Sequence, residues 1–234
     1  MGSENNICII PARGGSKRFR GKNVAIFDGK PLVVRAIEDG IASDHFSKVV
    51  VSTDDNEIAA LSESAGAEVH KRSRQNAGDT ATLVETCLEI VEEYSSENER
   101  YDNFCLLQVV CPLRNTEDII KSYEILKNNN ASAVISVTEW DEPPWWALVL
   151  NGKGMLKPLF TDYYEVDRTK LPAAVMHNGA VIWQRVEDFL KQKSFMAAED
   201  VYPYMMPRDR SIEVDYKEDL ENAELLLNKM MSEN

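Results

Sequence analysis

The sequence is short of positive charge: its 234 residues include 26 Lys and Arg against 39 Asp and Glu, a net charge of -13. A surface of that sign repels phosphate backbones and anionic lipid headgroups, so it argues against nucleic acid and against a membrane as partners. It does not argue against a small anionic ligand, which needs only a local cluster of cations. A site for such a ligand is therefore expected where cations are concentrated in the sequence.

Long hydrophobic runs, a secretory leader and paired cysteines are missing as well. The apolar runs within residues 105–111 are far too short to span a bilayer, and the first six residues have neither a basic nor an apolar leader region. No C-x-x-C pair occurs among the four cysteines, Cys8, Cys87, Cys105 and Cys111. Three of them lie in apolar segments, where a reduced and buried thiol is expected. These absences predict a soluble, cytoplasmic protein.

The pattern along the first half of the chain predicts the fold class. At about 150 residues per domain, the length predicts one large domain over residues 1–234. Short β-branched runs predict strands at residues 7–10, 48–52, 68–71, 103–110 and 133–137. Amphipathic stretches between them predict helices at residues 32–43, 56–64, 82–94 and 116–127. Such alternation implies an α/β sandwich with a mostly parallel sheet flanked by helices.

The alternation stops between residues 139 and 175, which we interpret as an inserted arm. Residues 146–150, followed by Asn151-Gly152, predict one half of a hairpin. Aromatic residues on the arm suggest a dimer contact, and a small satellite core under a long loop is the alternative. The α/β pattern then resumes with a strand at 179–183, a helix at 186–191, a short strand at 211–214 and a last helix at 217–231.

A glycine-rich loop follows the first predicted strand and carries the main cluster of cations. Between Arg13 and Lys22 there are five cations and no acid. The consecutive glycines Gly14 and Gly15 allow the backbone to approach a phosphate and present N–H donors to it. The segment matches neither the Walker A pattern nor the dinucleotide fingerprint. It is a third type of phosphate loop, common in nucleotidyltransferases, and it lies where α/β folds bind ligands.

The loop, Pro11-Ala-Arg-Gly-Gly-Ser-Lys-x-x-x-Gly-Lys-Asn23, resembles the signature of the N-acylneuraminate cytidylyltransferases, which make CMP-activated sialic acids and related nonulosonic acids. The resemblance continues, in the family's order, through residues 49–54, 79–81, 106–114, 171–172, 178–180 and 211–215. It covers nearly the whole chain. It implies a Rossmann-like nucleotidyltransferase sandwich, a homodimer, and an arm at 139–175 that serves dimerisation and acceptor binding.

The resemblance also implies a reaction and a set of nucleotide contacts. The family transfers CMP from CTP to the anomeric hydroxyl of a nine-carbon α-keto sugar acid and releases pyrophosphate. By motif matching, Arg13 and Lys22 are the triphosphate clamps and are counted as catalytic, and Gly14, Gly15 and Ser16 cradle the phosphates. The remaining nucleotide contacts implied are Ala12 beside the cytosine ring, Asn23 and Arg72.

Two carboxylates near the end of the chain are the candidate metal ligands. Glu213 and Asp215 have the i, i+2 spacing that places both side chains on one face of a strand. Beside a triphosphate, such a pair suits Mg²⁺, which prefers oxygen ligands. The family usually has Asp at the first position, so Glu213 departs from the pattern. Asp215 is therefore the stronger candidate and is also expected to be catalytic.

On the acceptor side, the resemblance implies that Gln108 contacts the sugar and that Arg168 pairs with its carboxylate. Asn178 and Gly179 are expected to line the same pocket. Here the sequence departs from the sialic acid enzymes, because residues 109–111 read Val-Val-Cys in place of Pro-Thr-Ser. This departure argues against simple N-acetylneuraminate as the acceptor. The segments at residues 143–146 and 157–160 resemble the branch that handles legionaminic- or pseudaminic-type sugars, so we expect an acceptor of that type.

Several alternatives are open at this point. The proton acceptor could be Asp215, a metal-bound hydroxyl, or a water held by Gln108. The three histidines, His45, His70 and His177, have no mutual spacing, and a structural role is expected for each. The chain could also be a cytidylyltransferase for the eight-carbon sugar Kdo, or a nucleotide-binding regulatory protein without catalysis.

Overall fold

The computed structural model describes residues 4–78, 80–96 and 100–233. Residues 1–3, which belong to the stretch without leader features, and Asp79 of the block at 79–81 lie outside these ranges. The strands are β1 (Asn6–Pro11), β2 (Ile26–Phe27), β3 (Lys30–Pro31), β4 (Lys48–Thr53), β5 (Glu68–Lys71), β6 (Asn103–Leu106), β7 (Ala133–Glu139), β8 (Leu148–Leu150), β9 (Leu156–Pro158), β10 (Val175–Arg185) and β11 (Val201–Met205). The α-helices are α1 (Leu32–Ala42), α2 (Asn56–Ser64), α3 (Leu83–Ser96), α4 (Thr116–Asn128), α5 (Val186–Gln192) and α6 (Lys217–Glu233).

A seven-stranded sheet in the order β11-β7-β10-β6-β1-β4-β5 forms the centre of the fold. Strand β1 pairs in parallel with β4 and β6, β5 is parallel to β4, and β11 is parallel to β7. Strand β10 alone among these runs antiparallel to its neighbours β6 and β7. The prediction of a mostly parallel α/β sheet is confirmed.

Helices cover both faces of this sheet. In β1, Cys8 and Ile10 pack into a core with α1, α2 and α4, whereas Ile7 and Ile9 pack into a second core with α3 and α5. Because alternate residues of a strand point to opposite faces, a strand buried on both sides must be apolar throughout. No helix in the described ranges combines the length and the apolar character that crossing a membrane requires.

The parallel strands bring four loops to one edge of the sheet. Strands β1, β4, β5 and β6 all end at this edge, and the segments that follow them start at residues 12, 54, 72 and 107. Ligands in α/β folds bind at the carboxyl ends of parallel strands. The topology therefore places the cationic loop, which starts at residue 12, beside segments that start 42 to 95 positions further along the chain.

The arm contains the predicted hairpin. Strand β8 pairs antiparallel with β9, and the turn between them begins at Asn151, whose Oδ1 accepts hydrogen bonds from the N–H groups of Lys153 and Met155. The hairpin carries apolar side chains on its surface, including Leu150, which is 70% exposed, and Leu156, which is 64% exposed.

The predicted strand at residues 211–214 is wrong. The backbone N–H of Val214 donates to the carbonyl of Val110, but the N–H groups of Asp215 and Tyr216 both donate to the Asp219 carboxylate at the start of α6. The segment thus bonds to Val110 and to the start of α6 and does not form a strand ladder. Strand β6 also ends earlier than predicted, at Leu106, and β11 was not predicted.

Candidate active site

The glycine-rich loop is closed by bonds between its own ends and the neighbouring strand. Ala12 is fully buried, and its N–H donates to the Ser52 carbonyl of β4 at 2.9 Å. The Asn23 side chain donates to the Arg13 carbonyl at 2.8 Å, and the N–H of Gly14 donates to Asp54 at 2.9 Å. These bonds shape a cavity of about 560 Å³, lined chiefly by residues 13–17 and 20–24.

A second cavity of about 350 Å³ adjoins the first, because Arg13, Lys22 and Asn23 line both. Predicted site residues from distant parts of the chain line this second cavity together: Arg13, Lys22, Asn23, Arg72, Gln108, Glu213 and Asp215. The structure therefore brings the candidate nucleotide contacts and the candidate metal ligands to one place. Gly14, Gly15 and Ser16 line the first cavity, and Ala12 lies buried behind the loop.

The carboxylate of Asp215 is paired with two cations of the loop. Arg18 Nη1 lies 2.7 Å from Asp215 Oδ2, and Lys22 Nζ lies 3.0 Å from Asp215 Oδ1. Glu213 is exposed. Partial burial raises the pKa of Glu213, the charge of Asp215 raises it further, and Lys22 and Arg18 lower it.

The segment that carries these carboxylates is anchored from behind the cavity. Arg210 makes a bidentate bond to Asp118 at 2.6 and 2.9 Å, and Asp118 is 1% exposed. The next residue, Ser211, accepts a hydrogen bond from the Asn178 side chain at 2.9 Å. These contacts replace the strand ladder that the sequence predicted.

The donor set fits a magnesium ion. Among the described residues, no three or more His, Cys, Asp and Glu side chains are grouped so as to hold a metal by themselves. Mg²⁺ does not require such a group, because it keeps several waters and is held by one or two carboxylates together with substrate phosphates. Glu213 and Asp215 supply that number of hard oxygen ligands at the cavity with the phosphate loop.

Gln108 lies against Gly179 in β10. A Cβ atom on Gly179 would lie 2.8 Å from Gln108 Nε2, and the backbone φ of +70° also favours glycine there. Asn178 does not line either cavity. It is 3% exposed, and its Oδ1 accepts from the Ser136 hydroxyl at 2.6 Å. Asn178 thus holds β7, β10 and the carboxylate segment together from inside the protein.

The structure does not bring Arg168 to these cavities. Arg168 begins a short 3-10 helix on the arm, donates to the Asp141 carbonyl at 2.7 Å and lies 3.8 Å from the Glu142 carboxylate. Its side chain is 57% exposed. Within one chain, Arg168 therefore lies on the arm and lines neither of the two cavities.

Some residues that line the site were not given a role by the sequence. Arg18 lines the second cavity and belongs to the predicted cation cluster, so its position in the sequence gave a signal. Asp54 follows β4 directly and, without lining either cavity, accepts a hydrogen bond from the Gly14 N–H. Asn76 and Thr86 line the second cavity, and their positions in the sequence offered no signal. Cys111 is fully packed, and burial raises the pKa of its thiol to about 12, which suits a packing role and not a nucleophile.

Comparison with known proteins supports one family. The profile of a family described as cytidylyltransferase matches residues 7–158. The chain is similar to the pseudaminic acid cytidylyltransferase of Campylobacter jejuni, with 31% identity over 94% of this chain and 95% of that protein. It is 31% identical to the CMP-N,N'-diacetyllegionaminic acid synthase of Legionella pneumophila, over 89% of this chain and 90% of that protein. It is also 31% identical to the N-acylneuraminate cytidylyltransferase of Escherichia coli, of which it spans 51%.

Solved structures agree in fold. A CMP:2-keto-3-deoxy-manno-octonic acid synthetase complexed with CTP superimposes with a TM-score of 0.71 and 16% identity, over 97% of this chain and 100% of that one. A 4-diphosphocytidyl-2C-methyl-D-erythritol synthase from Anaerococcus prevotii gives a TM-score of 0.67 and 13% identity, with the same coverage. With the profile match and the long alignments to the curated proteins, these findings show that the chain belongs to the cytidylyltransferase family.

Proposed function

We propose that the protein transfers CMP from CTP to the anomeric hydroxyl of a nine-carbon α-keto sugar acid and releases pyrophosphate. The observation that carries the proposal is that the cationic glycine-rich loop and the Glu213/Asp215 pair line one cavity. The cationic loop suits the binding of a polyphosphate. The Glu213/Asp215 pair suits the binding of a divalent cation that accompanies the polyphosphate. Support for this choice of acceptor comes from the relatives, which are named for pseudaminic, legionaminic and N-acylneuraminic acids.

In the proposed reaction, the chain acts mainly by positioning and charge. Arg13 and Lys22 would hold the triphosphate oxygens, with backbone N–H groups of Gly14, Gly15 and Ser16 as further donors. Displacement at the α-phosphorus spreads negative charge over the phosphoryl oxygens, and fixed donors stabilise it without reorganisation. Asn23, Arg72 and the backbone at Ala12 would contact the nucleoside.

Glu213 and Asp215 would hold Mg²⁺. When bound, the ion would neutralise charge on phosphoryl oxygens and orient them for displacement. In the structure Arg18 and Lys22 neutralise Asp215. We propose that CTP takes over these two cations, which leaves the carboxylates available to the metal.

Gln108 is the proposed contact for the acceptor. It lines the cavity beside Glu213, and Gly179 gives its side chain room. Val110, one of the three residues that stand in place of Pro-Thr-Ser, lines the same cavity as Gln108. We propose an acceptor of the pseudaminic or legionaminic type on these grounds.

The arm at residues 139–175 is the proposed dimerisation and acceptor-binding unit of a single cytidylyltransferase domain that covers residues 1–234. Its hairpin exposes Leu150 and Leu156, and a second copy of the chain would bury them. Because Arg168 does not reach the cavity of its own chain, we propose that the arm of one copy brings Arg168 to the cavity of the other. The cytoplasm is the proposed location, which suits a protein with four buried free thiols and CTP as substrate.

A direct test measures pyrophosphate release with CTP, Mg²⁺ and a panel of acceptors: pseudaminic acid, N,N'-diacetyllegionaminic acid, N-acetylneuraminic acid and Kdo. We expect turnover with a nine-carbon acid and none with Kdo. Turnover with Kdo alone would favour a Kdo cytidylyltransferase. CTP binding without turnover on any acceptor would favour a regulatory protein and contradict the proposal.

A further inference from the structure

We propose that His70 and Ser52 are positioning residues for nucleotide binding, because together they fix the guanidinium of Arg72 at the second cavity. The inference rests on the proposed function, in which Arg72 contacts the nucleotide. Neither His70 nor Ser52 lines a cavity of the site. Their proposed effect therefore passes through Arg72.

Ser52 connects Arg72 to the glycine-rich loop. It is fully buried near the end of β4. Its hydroxyl accepts a hydrogen bond from Arg72 Nε at 3.1 Å, and its carbonyl accepts one from Arg72 Nη2 at 2.8 Å. The same carbonyl accepts from the N–H of Ala12 at 2.9 Å. One residue thus fixes both the guanidinium and the first residue of the phosphate loop.

His70 fixes the direction of the Ser52 hydroxyl. It lies opposite Ser52 in the register of β4 and β5, with Nδ1 at 3.0 Å from Ser52 Oγ and Nε2 at 3.2 Å from Glu93 Oε2 on α3. Because the Glu93 carboxylate only accepts, Nε2 carries a hydrogen and donates it to that carboxylate. We assign Nδ1 as the acceptor of the Ser52 hydroxyl, which itself accepts from Arg72 Nε.

Because they are buried, the hydrogen bonds among His70, Ser52 and Arg72 determine the orientation of the Arg72 guanidinium. Ser52 is 0%, His70 3% and Arg72 8% exposed, so water does not replace a lost partner easily. Without the imidazole, the hydroxyl can rotate and donate elsewhere, and Arg72 loses its fixed acceptor. The consequence is expected in the affinity for the nucleotide and not in the chemical step.

The test compares His70→Leu with His70→Asn. Leucine removes the acceptor for the Ser52 hydroxyl, whereas asparagine Oδ1 can take the place of Nδ1. We expect His70→Leu to raise the KM for CTP about three- to tenfold, the effect of one hydrogen bond, with kcat and the acceptor KM unchanged. His70→Asn should restore the KM to near the wild-type value.

Tyr94→Phe is the matched control. It removes a 2.7 Å hydrogen bond from the Tyr94 hydroxyl to Glu68, which joins the same helix and strand without reaching Ser52. It should leave the KM for CTP unchanged. In an Arg72→Ala background, His70→Leu should have no further effect on that KM, because the two changes interrupt one chain of contacts.

Three results would overturn the inference: an unchanged CTP KM in His70→Leu, equal impairment in His70→Asn, or additive effects with Arg72→Ala. If His70→Leu does not fold, Ser52→Ala, which deletes only the hydroxyl, must raise the KM in its place. A wild-type protein that does not bind CTP in a calorimeter would overturn the proposed function as well. CTP binding by the wild type with unaffected variants would overturn this inference alone.

Discussion

At the scale of single residues, the two adjacent glycines of the loop have different roles. A Cβ atom on Gly14 would lie 2.7 Å from Oδ2 and 2.9 Å from Cβ of Asp55. Asp55 cannot move aside freely, because its other carboxylate oxygen accepts from the N–H groups of Glu57 and Ile58 as the N-cap of α2. A Cβ on Gly15 would meet nothing within 4 Å.

We therefore expect Gly14→Ala to lower the free energy of unfolding by about 1–3 kcal/mol through this collision. Gly15→Ala, at a backbone angle that alanine tolerates, should leave it within about 0.5 kcal/mol of the wild type or raise it slightly. Urea unfolding of the ligand-free proteins measures both values. Equal destabilisation by the two substitutions would contradict the assigned difference.

The second residue-scale prediction concerns Asp215. Asp215→Asn removes the carboxylate that pairs with Arg18 and Lys22 and is the stronger candidate for the metal. We expect kcat to fall about a hundredfold or more, the size of effect seen when one preorganised electrostatic group is lost. CTP binding should be partly retained, because the loop cations and N–H donors remain.

Pyrophosphate release and calorimetric CTP binding measure the two quantities separately. Glu218→Gln, which neutralises an exposed carboxylate in the first turn of α6, is the control and should leave both unchanged. Full activity in Asp215→Asn would remove Asp215 from the metal site.

At the scale of elements, the sequence predicted those strands that are buried on both faces. Strands β1 and β4 read as continuous apolar runs because each side packs under helices. Strand β11 was missed because Pro203 interrupts its pattern, and proline is tolerated there only because β11 lies at the edge of the sheet.

At residues 211–214, by contrast, the sequence predicted a strand that the structure does not contain. Its alternation of apolar and acidic residues is typical of a strand, but the sequence alone does not show that Asp219 accepts its backbone donors. Both Glu213 and Asp215 nevertheless line the second cavity. Their spacing in the sequence predicted that the two carboxylates lie together on a strand, which the structure does not show, and the resemblance of ordered motifs predicted that they lie beside the nucleotide.

Because no ladder holds that segment, its anchor becomes testable. Arg210→Met breaks the bidentate pair with Asp118 and leaves a buried carboxylate with fewer partners. We expect the free energy of unfolding to fall by about 2–4 kcal/mol. We also expect kcat to fall more than the affinity for CTP, because the carboxylates lose their position while the phosphate loop does not.

Denaturant unfolding and steady-state kinetics at a temperature where the variant is folded measure the two effects. Lys217→Met is the control, because Lys217 is 75% exposed and its pair with Glu221 is a surface contact worth little. A variant that loses stability but keeps full kcat would show that Arg210 does not position the carboxylates.

At the scale of the whole molecule, the net charge of -13 conceals an uneven distribution. The loop cations, together with Arg72 from the end of β5, meet Glu213 and Asp215 at one edge of the sheet. The cluster of cations was visible in the sequence because it is continuous. The proximity of this cluster to Arg72 and Asp215 was not visible, because it depends on the order of the parallel strands in the sheet.

The position of Arg168 leads to a prediction about the assembly. In one chain Arg168 pairs with Asp141 and Glu142 on the arm, away from both cavities. If it binds the acceptor carboxylate, a second copy must present it. A symmetric dimer in which each arm covers the partner's cavity would contain two sites, each built from both chains.

Mixing two inactive variants tests this arrangement. In a heterodimer of Arg168→Ala and Asp215→Asn, one site has both defects and the other has none. Unfolding and refolding an equal mixture gives half heterodimers, so we expect about a quarter of the wild-type rate of pyrophosphate release. A mixture of Lys22→Ala with Asp215→Asn is the control, because both residues belong to the cavity of one chain and no site is intact. Pyrophosphate release should recover in the mixture of Arg168→Ala with Asp215→Asn and not in the control mixture. If the first mixture stays inactive although mass measurement shows heterodimers, Arg168 does not act in the cavity of the other chain.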